Sequence, residues 1–327
     1  MALNTKEKAK QLNNSIIFDV HKFSEFKEVN QATDHLYELL NAELDGNVSI
    51  AKRHIKTIVI NLYNAYLQDP NCYIAYSRNN NDYLNKRSRY NKLHISRKTV
   101  LIVDALKETG FIEHHNGFYS SAKSRLPRMR ATPKLIDLIL DEYGFKYKMI
   151  QRPKNTEVII LRDKDKNNIE YKDNPRTEKM RVDLNKYNEL LSNTDIAIPS
   201  VAYPDPFTKR VFNNGSFLDG GRYYGGEWQR INSDERAQIK LNGSPVVELD
   251  YSGLHIVLLY AVKGIDYWGQ IKVDPYTLPS HKGEKQLRSF FKQVTLIAIN
   301  ALDESSAIKA ITSEINFKPD KWGWVRE

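Results

Sequence analysis

Apolar residues recur every three to four positions from about Asn30 to Leu67. Leu36, Leu39 and Leu40 stand in "ATDHLYELLNAEL", and Ile55, Ile58, Val59 and Leu62 in "AKRHIKTIVINLYNAYL". That period predicts two amphipathic helices whose stripes form a core. Asp69-Pro70-Asn71 punctuates them, since proline lacks the N–H that a helix interior requires. The basic stretch "YSRNNNDYLNKRSRYNKLH" follows, with Tyr76, Tyr83 and Tyr90 interleaved; its composition fits a solvated loop and a nucleic-acid face equally. Helical spacing resumes at Val100, Leu101, Val103 and Leu106, with Ser96 as candidate N-cap and Gly110 as the stop. "FIEHHNGFYSS" then reads as a short hairpin turning at Asn116-Gly117.

Further along, "TEVIILRD" predicts a strand, and "MRVDLNKYNELLSN" predicts a helix with Leu184, Tyr187 and Leu191 on one side. The prolines of "IPSVAYPDPF" interrupt the pattern before a glycine- and aromatic-rich block, "RVFNNGSFLDGGRYYGGEWQRI". Val246, Val247 and Leu249 predict a strand that ends at Asp250, and Leu254, Leu258 and Leu259 predict a helix after it. The elements add up to an α+β protein in three parts: a helical, DNA-binding-like module over 1–145, a mixed connector or thumb-like element over 146–209, and a third region over 210–327.

Charge narrows the partners. Over 327 residues, 49 Lys and Arg against 40 Asp and Glu give a net charge of +9 and a pI near 9.2, which favours an anionic partner. The single cysteine, Cys72, excludes an intramolecular disulfide and a Cys-rich zinc site. Adjacent His114 and His115 point to opposite faces of a strand and read as structural. The amino terminus lacks an apolar signal core and no run approaches the ~20 apolar residues of a membrane span, so a cytoplasmic protein that does not enter a membrane is expected.

A helix opened by Ser-Arg-Lys and followed by a hairpin reads as a winged helix-turn-helix. Its second helix would enter the major groove of duplex DNA amino end first, placing Arg97 and Lys98 at the groove. Lys123, Arg125, Arg128 and Arg130 beside it suit phosphate contacts. The same fold used only for packing or protein contact is the alternative.

Asp250 interrupts an apolar run. As a residue type it fits either a helix N-cap, in Asp-x-Ser before a helix, or a metal-ligating carboxylate at the end of a strand. Here the chain resembles the family A DNA polymerases and, in part, the single-subunit phage RNA polymerases. "VVELDYSGLHIVLLYA" is similar to motif A of their palm, "GGRYYGGEWQRI" to the upstream segment along primer and template, and "RSFFKQVTLIAINA" to motif B of the fingers, in the right order. The resemblance covers about the last third of the chain. It implies that Asp250 is catalytic and that Asp250 and Tyr251 (through its backbone) hold two magnesium ions. It also implies that Arg288, Lys292 and His255 meet a nucleoside triphosphate, and that Arg222 and Gln229 meet primer-template DNA. His255 stands where the family usually has glutamate, and Leu296, Asn300 and Ala301 where it has phenylalanine, tyrosine and glycine, so sugar choice and base-pair checking are not carried over. Motif C, which bears the second metal-binding aspartate, is absent from these residues, and Asp303-Glu304 lies too near the fingers helix to replace it. A carboxyl-terminal truncation is therefore expected. The implied function is a polymerase or primase-like nucleotidyltransferase of a phage or mobile element; the alternative is a non-catalytic winged-helix DNA-binding replication or regulatory protein.

Overall fold

The computed structural model describes residues 5–40, 47–83, 87–120, 124–277, 280 and 284–326. It is a mixed α and β structure of two compact units, Met1–Val247 and Glu248–Glu327. Among the described residues no helix is long and apolar enough to cross a membrane.

The first unit opens with helix α1 (Thr5–Asn13), strand β1 (Ile16–Ile17), and the two helices that the periodicity predicts, α2 (Lys27–Leu40) and α3 (Val48–Gln68). The Asn47 side chain caps α3 by accepting a hydrogen bond from the Ile50 N–H at 3.1 Å. From Ile55 to Ala65, α3 is buried almost all round except at Lys56, which makes it the central helix of the core. Val29, Leu36 and Leu40 of α2 pack on it, as do Val103 and Leu106 of α4 (Lys98–Glu108).

A sheet completes this core, in the order β1, β2 (Ile74–Ala75), β6 (Arg128–Ala131), β3 (Ile112–His115); β1 and β2 are parallel and the other pairs antiparallel. The hairpin is longer than the Asn116-Gly117 turn predicts. His115 pairs with Arg128, and after an interruption β4 (Phe118–Tyr119) pairs with β5 (Ser124–Arg125) in the same register. Pro127 has no N–H to donate to the ladder, and Gly117 lies so close to it that an added Cβ would come within 2.7 Å of the proline ring. The glycine is there for close approach inside a hairpin. A short helix, α5 (Pro133–Asp137), runs on into a wider turn (Leu138–Glu142) that buries Leu138 and Ile139.

The segment expected as a connector is a folded layer. Strand β7 (Ile159–Leu161) crosses through α6 (Pro175–Ser192) to the parallel strand β9 (Thr208–Asn213), which pairs antiparallel with β10 (Ser216–Gly225). The boundary expected at 209/210 therefore falls inside β9. Val158, Ile159, Leu161, Leu184 and Phe212 form its core, while Tyr187, expected on the same side, is exposed. A smaller sheet of β8 (Ile196–Ala197), β11 (Lys240–Leu241) and β12 (Ser244–Pro245) follows the short helix α7 (Ser233–Arg236) in part.

Two ionic centres tie these layers together. Arg152 Nη1 lies 2.7 Å from Asp19 Oδ2 and its Nη2 2.6 Å from Asp205 Oδ2, and Lys22 Nζ reaches the same Asp205 oxygen at 2.9 Å. Burial alone would raise the Asp205 carboxyl; Arg152 and Lys22 overcome it and hold it down to about 2. In the second centre Arg89 stacks on the Tyr171 ring at 3.7 Å and reaches Glu157, Glu170 and Asp173, which fastens the loop before α4 to the β7–α6 layer.

The second unit contains α8 (Leu254–Val262), α9 (Tyr267–Gln270), α10 (Lys285–Asn300), α11 (Glu304–Phe317) and α12 (Pro319–Trp322), then a turn of 3-10 helix over Gly323–Arg326. Its buried side chains are few among the described residues: Tyr267, Tyr276, Ala307 and Trp322. Helices α8 and α10 bury none. The strand expected over Val246–Leu249 is not formed, and Val247 and Leu249 are 82% and 89% exposed. β-branched residues make a strand only beside a hydrogen-bonding neighbour, and the ladder stops at Pro245.

Candidate nucleic-acid interface

The start of α4 is held from below. His54, fully buried on α3, has Nδ1 2.7 Å from the Ile50 carbonyl, so this nitrogen is the donor, and Nε2 accepts the Ser96 N–H at 2.9 Å. Ser96 thus precedes the helix as predicted, although the cap position is Arg97. Asn91 clasps the approach, donating to the Ile95 carbonyl at 2.7 Å and accepting its N–H at 2.8 Å. These contacts aim an outward row of Arg97, Leu101, Asp104 and Glu108, at helical spacing; Arg97, Leu101 and Glu108 are exposed, with Lys98 half-buried beside them.

Asp104 would repel a phosphate, but Arg78 covers it with paired hydrogen bonds of 2.6 and 2.7 Å, and these bonds keep its carboxyl below the usual range. Neither residue was singled out from the sequence. On the hairpin, Tyr119 is 89% exposed and Arg125 lies over the Phe118 ring at 5.1 Å. Lys123 lies outside the described residues.

Two of the predicted phosphate contacts are engaged inside the protein. The two-residue period of β6 puts Arg128 and Arg130 on one face of the sheet, opposite Met129 in the core, and α1 lies over that face. Arg128 is 9% exposed and donates to the carbonyls of Leu12 at 3.0 Å and Leu126 at 2.7 Å. Arg130 pairs with Glu113, its cross-strand neighbour, and stacks over Tyr73 at 4.8 Å. Burial would raise the Glu113 carboxyl, but Lys8, His115 and Arg130 pull it down to about 2. The covering helix α1 has no strong apolar stripe, and that is why the sequence did not reveal it.

No family model, curated protein or solved structure matches the chain.

The residues implied by the polymerase resemblance fall in both units. Arg222 is exposed on β10, while the Gln229 side chain donates to the Tyr223 carbonyl at 3.1 Å and accepts the Gly225 N–H at 3.2 Å, closing the end of that strand. Asp250, Tyr251 and His255 are all exposed. Asp250 does not cap the helix either, because α8 starts after Gly253, whose φ of 64° and close approach to Pro275 exclude a side chain. Asp303, the other aspartate weighed, caps α11 by accepting the Ser306 N–H at 2.7 Å. No group of three or more His, Cys, Asp or Glu side chains able to hold a metal ion occurs among the described residues. Two magnesium ions would need further carboxylates beside Asp250, and the described residues show no such cluster. Arg288 and Lys292 do share a face of α10, as their spacing predicts, but Arg288 is paired with Asp274: its Nε donates to the Oδ2 at 2.5 Å, and the charge of Lys292 adds to the attraction that keeps this carboxyl low against burial.

Proposed function

We propose that this protein binds duplex DNA through a winged-helix module, with α4 as the helix that enters the major groove and the β3–β6 hairpin as the wing, and that it acts in the cytoplasm. The observation that carries this reading is the arrangement of α3, β2, α4, β3 and β6 in chain order with the sheet ordered β2-β6-β3. This strand order supports the winged-helix reading, with a 3-10 turn (Asn80–Tyr83) where the first helix of the helix-turn-helix would stand, and it comes with Arg97, Leu101 and a half-buried Lys98 on the outward side of α4. The net charge of +9 supports it. Titration of the full chain into labelled duplex DNA at increasing salt tests it. Affinity should fall with salt at a log–log slope of about −0.9 per phosphate neutralised, and Arg97→Glu with Lys98→Glu should weaken binding at least ~30-fold. Unchanged binding by that double variant would refute α4 as the reader.

A second reading, a polymerase or primase-like nucleotidyltransferase, keeps one support: the cations of Arg288 and Lys292 on one face of a 16-residue helix. It needs a carboxylate partner for Asp250 that the described residues do not contain. Under this reading Arg288→Ala weakens binding of a nucleoside triphosphate; if that variant loses only stability, the Asp274 pair is structural and the reading fails.

A further inference from the structure

A cleft of about 630 Å3 opens between α2 and the amino-terminal half of α3. Lys52, Arg53 and Lys56 line it, with Thr57 beneath, and Asp34 is the one carboxylate among its lining residues. Lys52 and Lys56 form one helical row and Arg53 and Thr57 the next. The first turn of α3 adds the positive end of its dipole, since Val48 and Ser49 also line the cleft. Lys52 meets Asp34 at 2.9 Å, and Lys56 donates to Asn30 and to the Ser24 carbonyl. Two polar groups of the wall are left over: the hydroxyl of Thr57, a residue only 1% exposed, and the buried Nε of Arg53 have no hydrogen-bond partner. Native proteins rarely leave such groups unmatched. Phe23 and Leu93, both half-buried apolar side chains, also line it.

We infer that this cleft is a binding site for a nucleoside monophosphate, with the phosphate on Lys52 and Arg53 at the start of α3 and the base against Phe23 and Leu93. The volume lies within the range of small-molecule sites, and the pairing of a cationic end with an apolar wall is what a phosphate ester of a flat, weakly polar body requires. No residue of α4 lines the cleft, and the assignment does not depend on the function proposed above.

Calorimetric titration of the full chain with AMP, inorganic phosphate and adenosine tests this. AMP should bind at least ~10-fold more tightly than either fragment, and Arg53→Gln should weaken AMP at least ~5-fold, as loss of one charge-assisted contact does. Lys179→Gln on α6, outside the cleft, should leave AMP binding unchanged. If Arg53→Gln lowers the melting temperature by more than ~5 °C, Lys52→Gln takes its place with the same expectation. AMP binding no tighter than phosphate, binding unaltered by the cleft variant, or binding lost in Lys179→Gln would each overturn the assignment.

Discussion

Replacing Arg152 by methionine removes the cation between Asp19 and Asp205 and keeps most of the side-chain volume. Lys22 then remains near Asp205 and His21 near Asp19, the latter at 3.4 Å. Breaking a buried ion pair from one side typically costs about 3–5 kcal/mol. The pH behaviour gives an independent figure. Asp205 is held at about 2 against an ordinary 3.8, which corresponds to about 2–3 kcal/mol at ~1.4 kcal/mol per pH unit. Asp19, where Arg152 is the main opponent of burial, shifts in the same direction. Because both carboxyls are depressed, this stabilisation is complete above their unfolded values near 4 and is lost as pH falls through the folded values. In the variant the carboxyls return toward their ordinary range. The difference between parent and variant should therefore be about 3–5 kcal/mol at pH 7 and shrink by roughly half at pH 3. Urea titrations at pH 7, 5, 4 and 3, read by hydrogen exchange of the amides of β7 and β9, measure it. A difference below about 1 kcal/mol at pH 7, or one that does not change with pH, would refute the reasoning.

Arg128→Met should leave duplex binding within about twofold while lowering stability by about 1–3 kcal/mol, since carbonyls of Leu12 and Leu126 lose a donor; a large loss of DNA affinity in gel shifts would place Arg128 at the DNA after all. His54→Ala should destabilise by about 2–4 kcal/mol through a cavity and an unpaired Ser96 N–H, with the amides of residues 96–100 exchanging faster. DNA affinity should fall with them if α4 is the reading helix.

Local pattern along the chain was enough for α2, α3, α4, β7 and α6, because helix period and capping chemistry act within a few residues. Pro70 and Gly110 ended their helices as their backbone constraints require. The same locality let the spacing of Arg288 and Lys292 foretell a shared face. What it could not supply was direction and partner. Arg128 and Arg130 read as free cations, yet the sheet turns their face under α1, and charge in a sequence carries no record of what lies above it. The Asn116-Gly117 pair read as a turn, but Pro127 opposite it, ten residues away, made it a gap inside a longer hairpin. Val246 to Leu249 have the composition of a strand and form none, since a strand needs a ladder of hydrogen bonds from a neighbour that no local pattern specifies. The cleft on α3 arose in the same way: Lys52, Arg53 and Lys56 are ordinary surface residues until α2 and the Phe23 and Leu93 segments enclose them. Periodicity and turn chemistry are short-range properties that the sequence determines by itself, whereas burial, pairing and the neighbours of each charge exist only once distant segments meet.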